Sequence, residues 1–313
     1  MESMKMAVIG SYAIGMTITC NNFPAKGETV QGCNFELMHG GKGSNQAVAA
    51  TRLGGDVVYS GCVGNDSFGD KCFQLHKKEK MDTSGIRRSK KGLSTGVGLV
   101  LVNVEGENEI VIDLAANLEL SCQDIDDMMP VLRQCGLVLM QLEINMGTVL
   151  YTAKKCREAG ILFVLNPAPY QELPEMLLEY CDYVIPNQTE ARLMLGLSSD
   201  SIDSDEEVGR RLKDKGIKNI VMTLGGKGAL FVNEQESKVI SGICVKTVDT
   251  TGAGDTFSAA FCVALAEGKS PEDAIAFGNA AAGLAVTKYG VIDSIPNRET
   301  VEAYLKKKGC EKE

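Results

Sequence analysis

Apolar residues dominate short blocks at 6–9, 57–62, 137–142, 162–165, 183–185 and 220–224. Blocks this short, flanked by polar or glycine-rich stretches, predict strands buried on both faces. Elsewhere the apolar positions recur at helical spacing, over 44–53, 146–159, 189–195, 206–215 and 271–287. These stretches predict helices, with Ser44 capping the first and Gly54-Gly55 ending it. Strands alternating with helices indicate a parallel sheet covered on both sides. Two regions break the rhythm. Residues 18–35 and 95–114 read as strands without helices between them, and 96–102, a polar turn at Glu105–Asn108 and 110–112 read as a hairpin. The expectation is a small β appendage built from two separate segments. It either covers a cleft at the C-terminal ends of the main strands or decorates an edge.

The chain has 313 residues, 44% of them apolar, which suits one large α/β unit with an appendage or two domains. Its net charge of −9 comes with no basic cluster. Lys77-Lys78 and Lys306-Lys307-Lys308 read as solvated helix faces, so nucleic acid is not an expected partner. The eleven cysteines form no C-x-x-C pair, and His39 and His76 are the only imidazoles. That leaves little for a zinc site and fits free thiols in a reducing cytoplasm. The apolar run within 1–10 is too short for a signal or membrane segment, so no membrane is expected.

The stretch Asp249-Thr-Thr-Gly-Ala-Gly-Asp-Thr-Phe257 precedes an apolar run at 258–266. Gly252, Ala253 and Gly254 would stand at a helix start, where unpaired amides and a partial positive charge suit an anion. Asp255 in that place is either a cap or a base for an alcohol that accepts a phosphoryl group. A second glycine-rich turn, Gly40-Gly41-Lys42-Gly43-Ser44-Asn45-Gln46, also opens a helix. It is not a Walker loop, because Gly43 rather than Ser or Thr follows Lys42.

Between these turns lie Gln141-Leu142-Glu143, Asn166-Pro167-Ala168-Pro169, Asn187-Gln188-Thr189-Glu190 and Thr223-Leu224-Gly225-Gly226-Lys227-Gly228. In this order the set resembles the ribokinase family of sugar kinases, the pfkB-type carbohydrate kinases, nearly end to end. The resemblance implies a Rossmann-like three-layer αβα sandwich spanning 1–313 as one domain, with a β lid from about 11–40 and 95–115 that pairs two copies into a homodimer. It also implies ATP as phosphoryl donor, Mg²⁺ as co-substrate and K⁺ as activator. The acceptor would be a primary hydroxyl of a pentose or related sugar, ribose among them; a nucleoside, a ketose or a modified sugar is the alternative, and a non-catalytic sugar-binding regulator a further one.

By resemblance, Asp255 is the base and the amides of Gly252, Ala253 and Gly254 form the anion hole. Gly41, Lys42, Gly43, Asn45 and Glu143 contact the acceptor. Asn187, Thr223, Gly225, Gly226, Gly228, Gly254 and Asn279 line the nucleotide site, with 223–228 a mobile loop along ATP. Glu190 serves Mg²⁺, partly through water, although Asn187 and Glu190 also nearly match a capping box. Asp249, Thr251, Ala285, Lys288, Gly290 and Ser294 resemble a K⁺ site, mostly through carbonyls. One part departs from the family. Ribokinases proper carry Asn and Asp after the first strand, where this chain has Ala13 and Gly15. Asp113 and Leu114 put a charge and a bulkier group near the expected pocket.

Overall fold

The computed structural model describes residues 4–310. Residues 1–3 and 311–313, which the single-domain expectation and the N-terminal apolar run include, lie outside the described residues. The strands are β1 Lys5–Ile9, β2 Ala13–Cys20, β3 Gly32–Gly40, β4 Val57–Val63, β5 Ile86–Arg88, β6 Gly96–Asn103, β7 Asn108–Asp113, β8 Cys135–Met140, β9 Leu162–Leu165, β10 Tyr183–Val184, β11 Ile220–Thr223, β12 Gly228–Val232 and β13 Ser237–Ser241. The helices are α1 Lys42–Arg52, α2 Ser67–Lys78, α3 Cys122–Leu132, α4 Met146–Ala159, α5 Glu175–Tyr180, α6 Gln188–Met194, α7 Asp205–Asp214, α8 Ala253–Ala266, α9 Pro271–Ala285 and α10 Arg298–Cys310.

Nine strands form the main sheet in the order β13-β12-β11-β10-β9-β8-β1-β4-β5. It is parallel from β11 to β5, with β12 and β13 added antiparallel at one edge. Alternate residues of β1 show why its apolar block is unbroken. Met6 and Val8 enter the core shared with α1, α2, α8, α9 and α10, while Ala7 and Ile9 enter the core shared with α3 to α7. A strand between two helical layers has no polar side. No helix among the described residues is long and apolar enough to cross a membrane.

The second sheet has the order β3-β2-β6-β7. β2 lies parallel to β6, and the other two pairings are antiparallel. It uses residues 13–40 and 96–113, the two segments that lacked a helical pattern.

Three expectations change. Helix α1 begins two residues earlier than the periodicity suggests. Gly41, at φ 87°, holds the N-cap position, so Ser44 is not the cap. Its hydroxyl lies inside the helix, 3.4 Å from His76 Nε2. The segment 223–228 is not an open loop, because a 3-10 turn at Gly225–Lys227 joins β11 to the buried strand β12. Asp113 is exposed, and its carboxylate accepts from the Ala115 amide at 3.0 Å.

Candidate active site

The sheet order reverses beside β1, with β8 on one side and β4 on the other. Chains leaving the C-terminal ends of strands diverge at such a point and open a crevice. Ser11 follows β1 and Glu143 follows β8. The Ser11 hydroxyl donates to Glu143 Oε2, and the Lys42 amide donates to the same oxygen at 2.9 Å. Glu143 therefore holds the N-terminus of α1, where a carboxylate complements the helix dipole. Gly41 and Gly43 serve the same junction. A Cβ on Gly41 would lie 2.6 Å from Tyr12 Cα, and one on Gly43 would lie 2.5 Å from the Gly10 carbonyl carbon. The missing side chains let two turns touch, and neither glycine lines the cavities described below.

Asp255 is the third residue of α8 and is 6% exposed. Asn45 Nδ2 donates to one of its oxygens and Gln46 Nε2 to the other, each at 2.9 Å. Asp255 lines a cavity of about 180 Å³ together with Lys42, Asn187, Glu190, Gly252 and Gly254. The Asp255 carboxylate raises the Lys42 pKa; burial opposes it, and Glu143 and Glu190 add to it. Burial pushes Glu190 up, and its hydrogen bond from the Asn187 amide and the Lys42 charge pull it back. Asn187 and Glu190 also form a reciprocal capping box on α6, so one pair serves both the helix start and the cavity wall.

A second cavity of about 520 Å³ is lined by Thr223, Gly225, Gly226, Gly228, Ala253, Gly254, Phe257 and Asn279, among others. The two cavities share Thr223 and Gly254 as walls. Gly252 stands between the elements at φ 74°, where a Cβ would also meet Val291 Cγ1 at 2.6 Å.

One assignment needs correction, and a second is narrowed. The Ala253 amide donates to the Thr250 carbonyl at 3.2 Å, so it is not among the open amides of the turn. Asn279 uses both amide hydrogens on the carbonyls of Ile240 and Ser241, at 2.9 and 3.2 Å, which ties α9 to β13. Only its oxygen is left for a ligand.

The residues resembling a K⁺ site are joined in part. Asp249 accepts from the Thr251 amide and hydroxyl and from the Gly290 amide. Burial works against the Asp249 charge, but these donors outweigh it and hold the carboxyl below its ordinary range. The Lys288 amide bonds the Ala285 carbonyl at 3.2 Å. Ser294 donates to the Val291 carbonyl at 2.8 Å and, with Lys288, lines a separate cavity.

Pattern reading assigned no individual role to Ser11, Gln46, Asn166 or Ser258. Gln46 and Asn166 are bonded to each other at 3.0 Å beside Asp255. Ser258 is 1% exposed, lines the smaller cavity and has no partner for its hydroxyl among the described residues. The available signal is polarity out of place: a glutamine opening the run Ala47–Ala50, and a serine within the apolar start of α8.

The family model for pfkB family carbohydrate kinases matches residues 3–298. A ribokinase of Haemophilus influenzae is 38% identical over 300 residues, covering 96% of this chain and 98% of that protein. A deoxyribokinase of Salmonella typhimurium is 35% identical over 305 residues, covering 96% and 99%. The structure of Arabidopsis thaliana ribokinase complexed with ribose and ATP superposes with a TM-score of 0.90 at 30% identity, covering 97% of this chain and 99% of that one.

Proposed function

The chain belongs to the pfkB family of carbohydrate kinases and is an ATP-dependent sugar kinase; we propose that it passes the γ-phosphoryl group to the primary hydroxyl of a pentose or pentose derivative. One observation carries this reading. The larger cavity, of nucleotide size, meets the smaller one at Thr223 and Gly254, and Asp255 stands in the smaller one at the start of α8. An acceptor there would bring its hydroxyl to the Asp255 carboxylate. Asn45 and Gln46 hold that carboxylate without giving it a proton. The amides of Gly252 and Gly254 have no hydrogen-bond partner among the described residues and would face the charge that develops on the transferred group. Lys42 adds a positive charge to the same space.

The donor set fits the metals the family resemblance implies. Mg²⁺ is commonly held by one or two carboxylates together with substrate phosphates, and Glu190 with its partner Asn187 lines the smaller cavity. When bound, Mg²⁺ neutralises charge on the phosphates. The oxygens of Asp249 and Thr251, which Gly290 joins through its amide, are donors of the kind K⁺ takes.

The second sheet would serve as a lid. The row Leu37–Met16–Leu99–Val111 runs across all four of its strands in register. Leu37, Leu99 and Val111 are 44, 50 and 69% exposed. An apolar row of this kind suits a second copy of the lid, and a dimeric mass in solution would support it. The unpaired thiols fit the cytoplasm.

The identity of the acceptor turns on Ala13 and Gly15, which offer no hydrogen bond. A Cβ on Gly15 would meet only the Met38 carbonyl oxygen, at 3.7 Å, so the space above it is open. This favours an acceptor with fewer hydroxyls or a larger substituent on that side, such as a deoxypentose or a nucleoside. ADP release measured over pentoses, deoxypentoses, hexoses and nucleosides tests the reading. Turnover of one class is expected. ATP binding with no turnover of any acceptor would favour the sugar-binding regulator.

A further inference from the structure

Behind Asp255 lies a chain of buried amides whose orientation is forced from one end. The Ile185 carbonyl can only accept, so Asn166 must turn its nitrogen to it, 2.9 Å away. Asn166 Oδ1 then points the other way as an acceptor. Gln46 Nε2 lies 3.0 Å from that oxygen and 2.9 Å from Asp255 Oδ1. Both neighbours accept, so the nitrogen end of Gln46 must face them. Its oxygen end faces Gln141, whose Nε2 donates to it. The donors end there. Among the described residues Gln141 Oε1 is left without a partner, against Gly10, where a Cβ would come within 2.1 Å of it. Gln46, Gln141 and Asn166 are 0, 1 and 7% exposed.

We propose that Gln46 and Gln141 are positioning residues for Asp255, with Gln141 locking the Gln46 amide so that its nitrogen, not its oxygen, meets the carboxylate. This rests on the reading of Asp255 as the base. A turned Gln46 amide would set Oε1 against both Asp255 Oδ1 and Asn166 Oδ1, oxygen against oxygen. The carboxylate would then rotate away or take up a proton, and either change removes the base. The unpaired Gln141 oxygen supports a role beyond packing. A leucine there would fill a similar volume but leave the buried Gln46 oxygen without its donor, so what the glutamine adds over an apolar side chain is that donor. The path runs from a strand end (Ile185), through a loop (Asn166), to helix α1 (Gln46), and from there to α8 on one side and the β8 end on the other. The base is thereby registered to several elements of the fold.

Two variants test this. Gln141→Leu removes the donor and the stranded oxygen together. One unpaired buried acceptor, Gln141 Oε1, is exchanged for another, Gln46 Oε1, so the expected result is a thermal midpoint close to that of the unaltered protein, a KM for ATP within about twofold, and kcat reduced by about tenfold or more. Gln141→Glu keeps the shape and makes the donor titratable. The neutral carboxyl can donate to Gln46 and the ionised one cannot, so kcat should fall as pH rises through a pKa that burial lifts. That limb should be absent from the unaltered enzyme. Unchanged kcat in Gln141→Leu, or an unchanged pH profile in Gln141→Glu, overturns the proposal. Should the leucine variant not fold, the glutamate profile decides alone. The two readings fail separately: if Asp255→Asn abolishes turnover and both Gln141 variants match the unaltered enzyme, the relay is wrong and the base stands. If Asp255→Asn stays active, both go.

Discussion

Glu143 accepts a hydrogen bond from the main-chain amide of Lys42, 101 positions earlier, at 2.9 Å. The carboxylate at the end of β8 thus serves as the cap that α1 does not supply from its own sequence. Gly41 has no side chain to offer, and the Ser11 hydroxyl donates to the same Glu143 oxygen. Replacing Glu143 by alanine should cost about 1–2 kcal/mol of stability, the range for a lost cap with a favourable dipole contact. It should also raise KM for the acceptor, because the turn that carries Lys42 and Asn45 loses its anchor. Denaturant titration and acceptor kinetics on one preparation check both. A raised KM at unchanged stability would assign Glu143 to the acceptor alone.

Asp255→Asn keeps the shape of the side chain and removes the charge. It also sets an amide nitrogen among the donors of Asn45 and Gln46, which now lack one acceptor. The rate of phosphoryl transfer should fall by about two to four powers of ten, the range for losing a general base. ATP should still bind, because its cavity walls are untouched. Single-turnover rates with a separate nucleotide-binding titration read the two apart.

The legible part of this chain is the part governed by local rules. The blocks at β1, β4, β8 and β9 announce themselves because strands buried on both faces carry few polar residues, Ser60 in β4 being one, and α4 shows its full period. The strand β13, Ser-Lys-Val-Ile-Ser, is exposed at the sheet edge and carries no such mark. Helices α2 and α3 keep a buried stripe too narrow to stand out among their charged residues. At the site, Asp255 and its glycines could be found because a glycine-rich turn before an apolar helix has a chemical meaning at short range. The contacts of Glu143 with Lys42 and of Gln141 with Gln46 could not, since each joins residues about a hundred positions apart. Ser44 misled for the same reason. A cap-forming residue before a periodic run is good local evidence, but the anchor came from elsewhere in the chain.

His76 is fully buried and stacked on Tyr59, with ring centroids 4.5 Å apart. Its Nδ1 donates to the Cys72 carbonyl at 2.8 Å. Burial pushes its pKa down to about 4; the Cys72 contact and Glu79 oppose this, and His39 adds to it. An unfolded chain takes up this proton near 6.5. Between those values the unfolded state binds more protons, so this contribution to stability is complete above 6.5 and is lost as pH falls toward 4. His76→Phe keeps a ring against Tyr59 and cannot titrate, so its stability should fall less over that window, as read by urea midpoints. Glu119 acts in a separate window. Burial opposes its charge, but Ser89, the Lys90 amide, Arg87 and the Lys91 amide hold it down to about 2, so its share is lost only below 4.5.

Asp249 ties the strand side of the glycine turn to Gly290, beyond α9. A K⁺ held among these oxygens would stiffen the backbone that leads into Gly252. Exchanging K⁺ for Na⁺ should therefore lower kcat sharply and leave the fold intact. Equal rates in the two salts, with unchanged thermal midpoints, would remove K⁺ from this reading.

Gly15 lies opposite Met38 on β3 and Gly98 on β6. A Cβ added at Gly15 has the Met38 oxygen at 3.7 Å as its nearest neighbour, and one at Gly98 has Ile112 Cγ2 at 3.6 Å. Both are ordinary contact distances, so a larger residue fits without moving the sheet. Gly15→Asp would put a hydrogen-bonding carboxylate on the second sheet, where the family resemblance implies one. If open space at this position sets the acceptor, the variant should gain turnover of fully hydroxylated pentoses and lose it for acceptors that need the room. Discrimination between hydroxylated and deoxy acceptors should rise by more than the roughly 10–200-fold that one methylene provides, because an unpaired polar group in the pocket penalises the wrong partner. The ratio of kcat/KM for ribose and 2-deoxyribose in the two proteins is the measurement. An unchanged ratio would place specificity elsewhere than this face of β2.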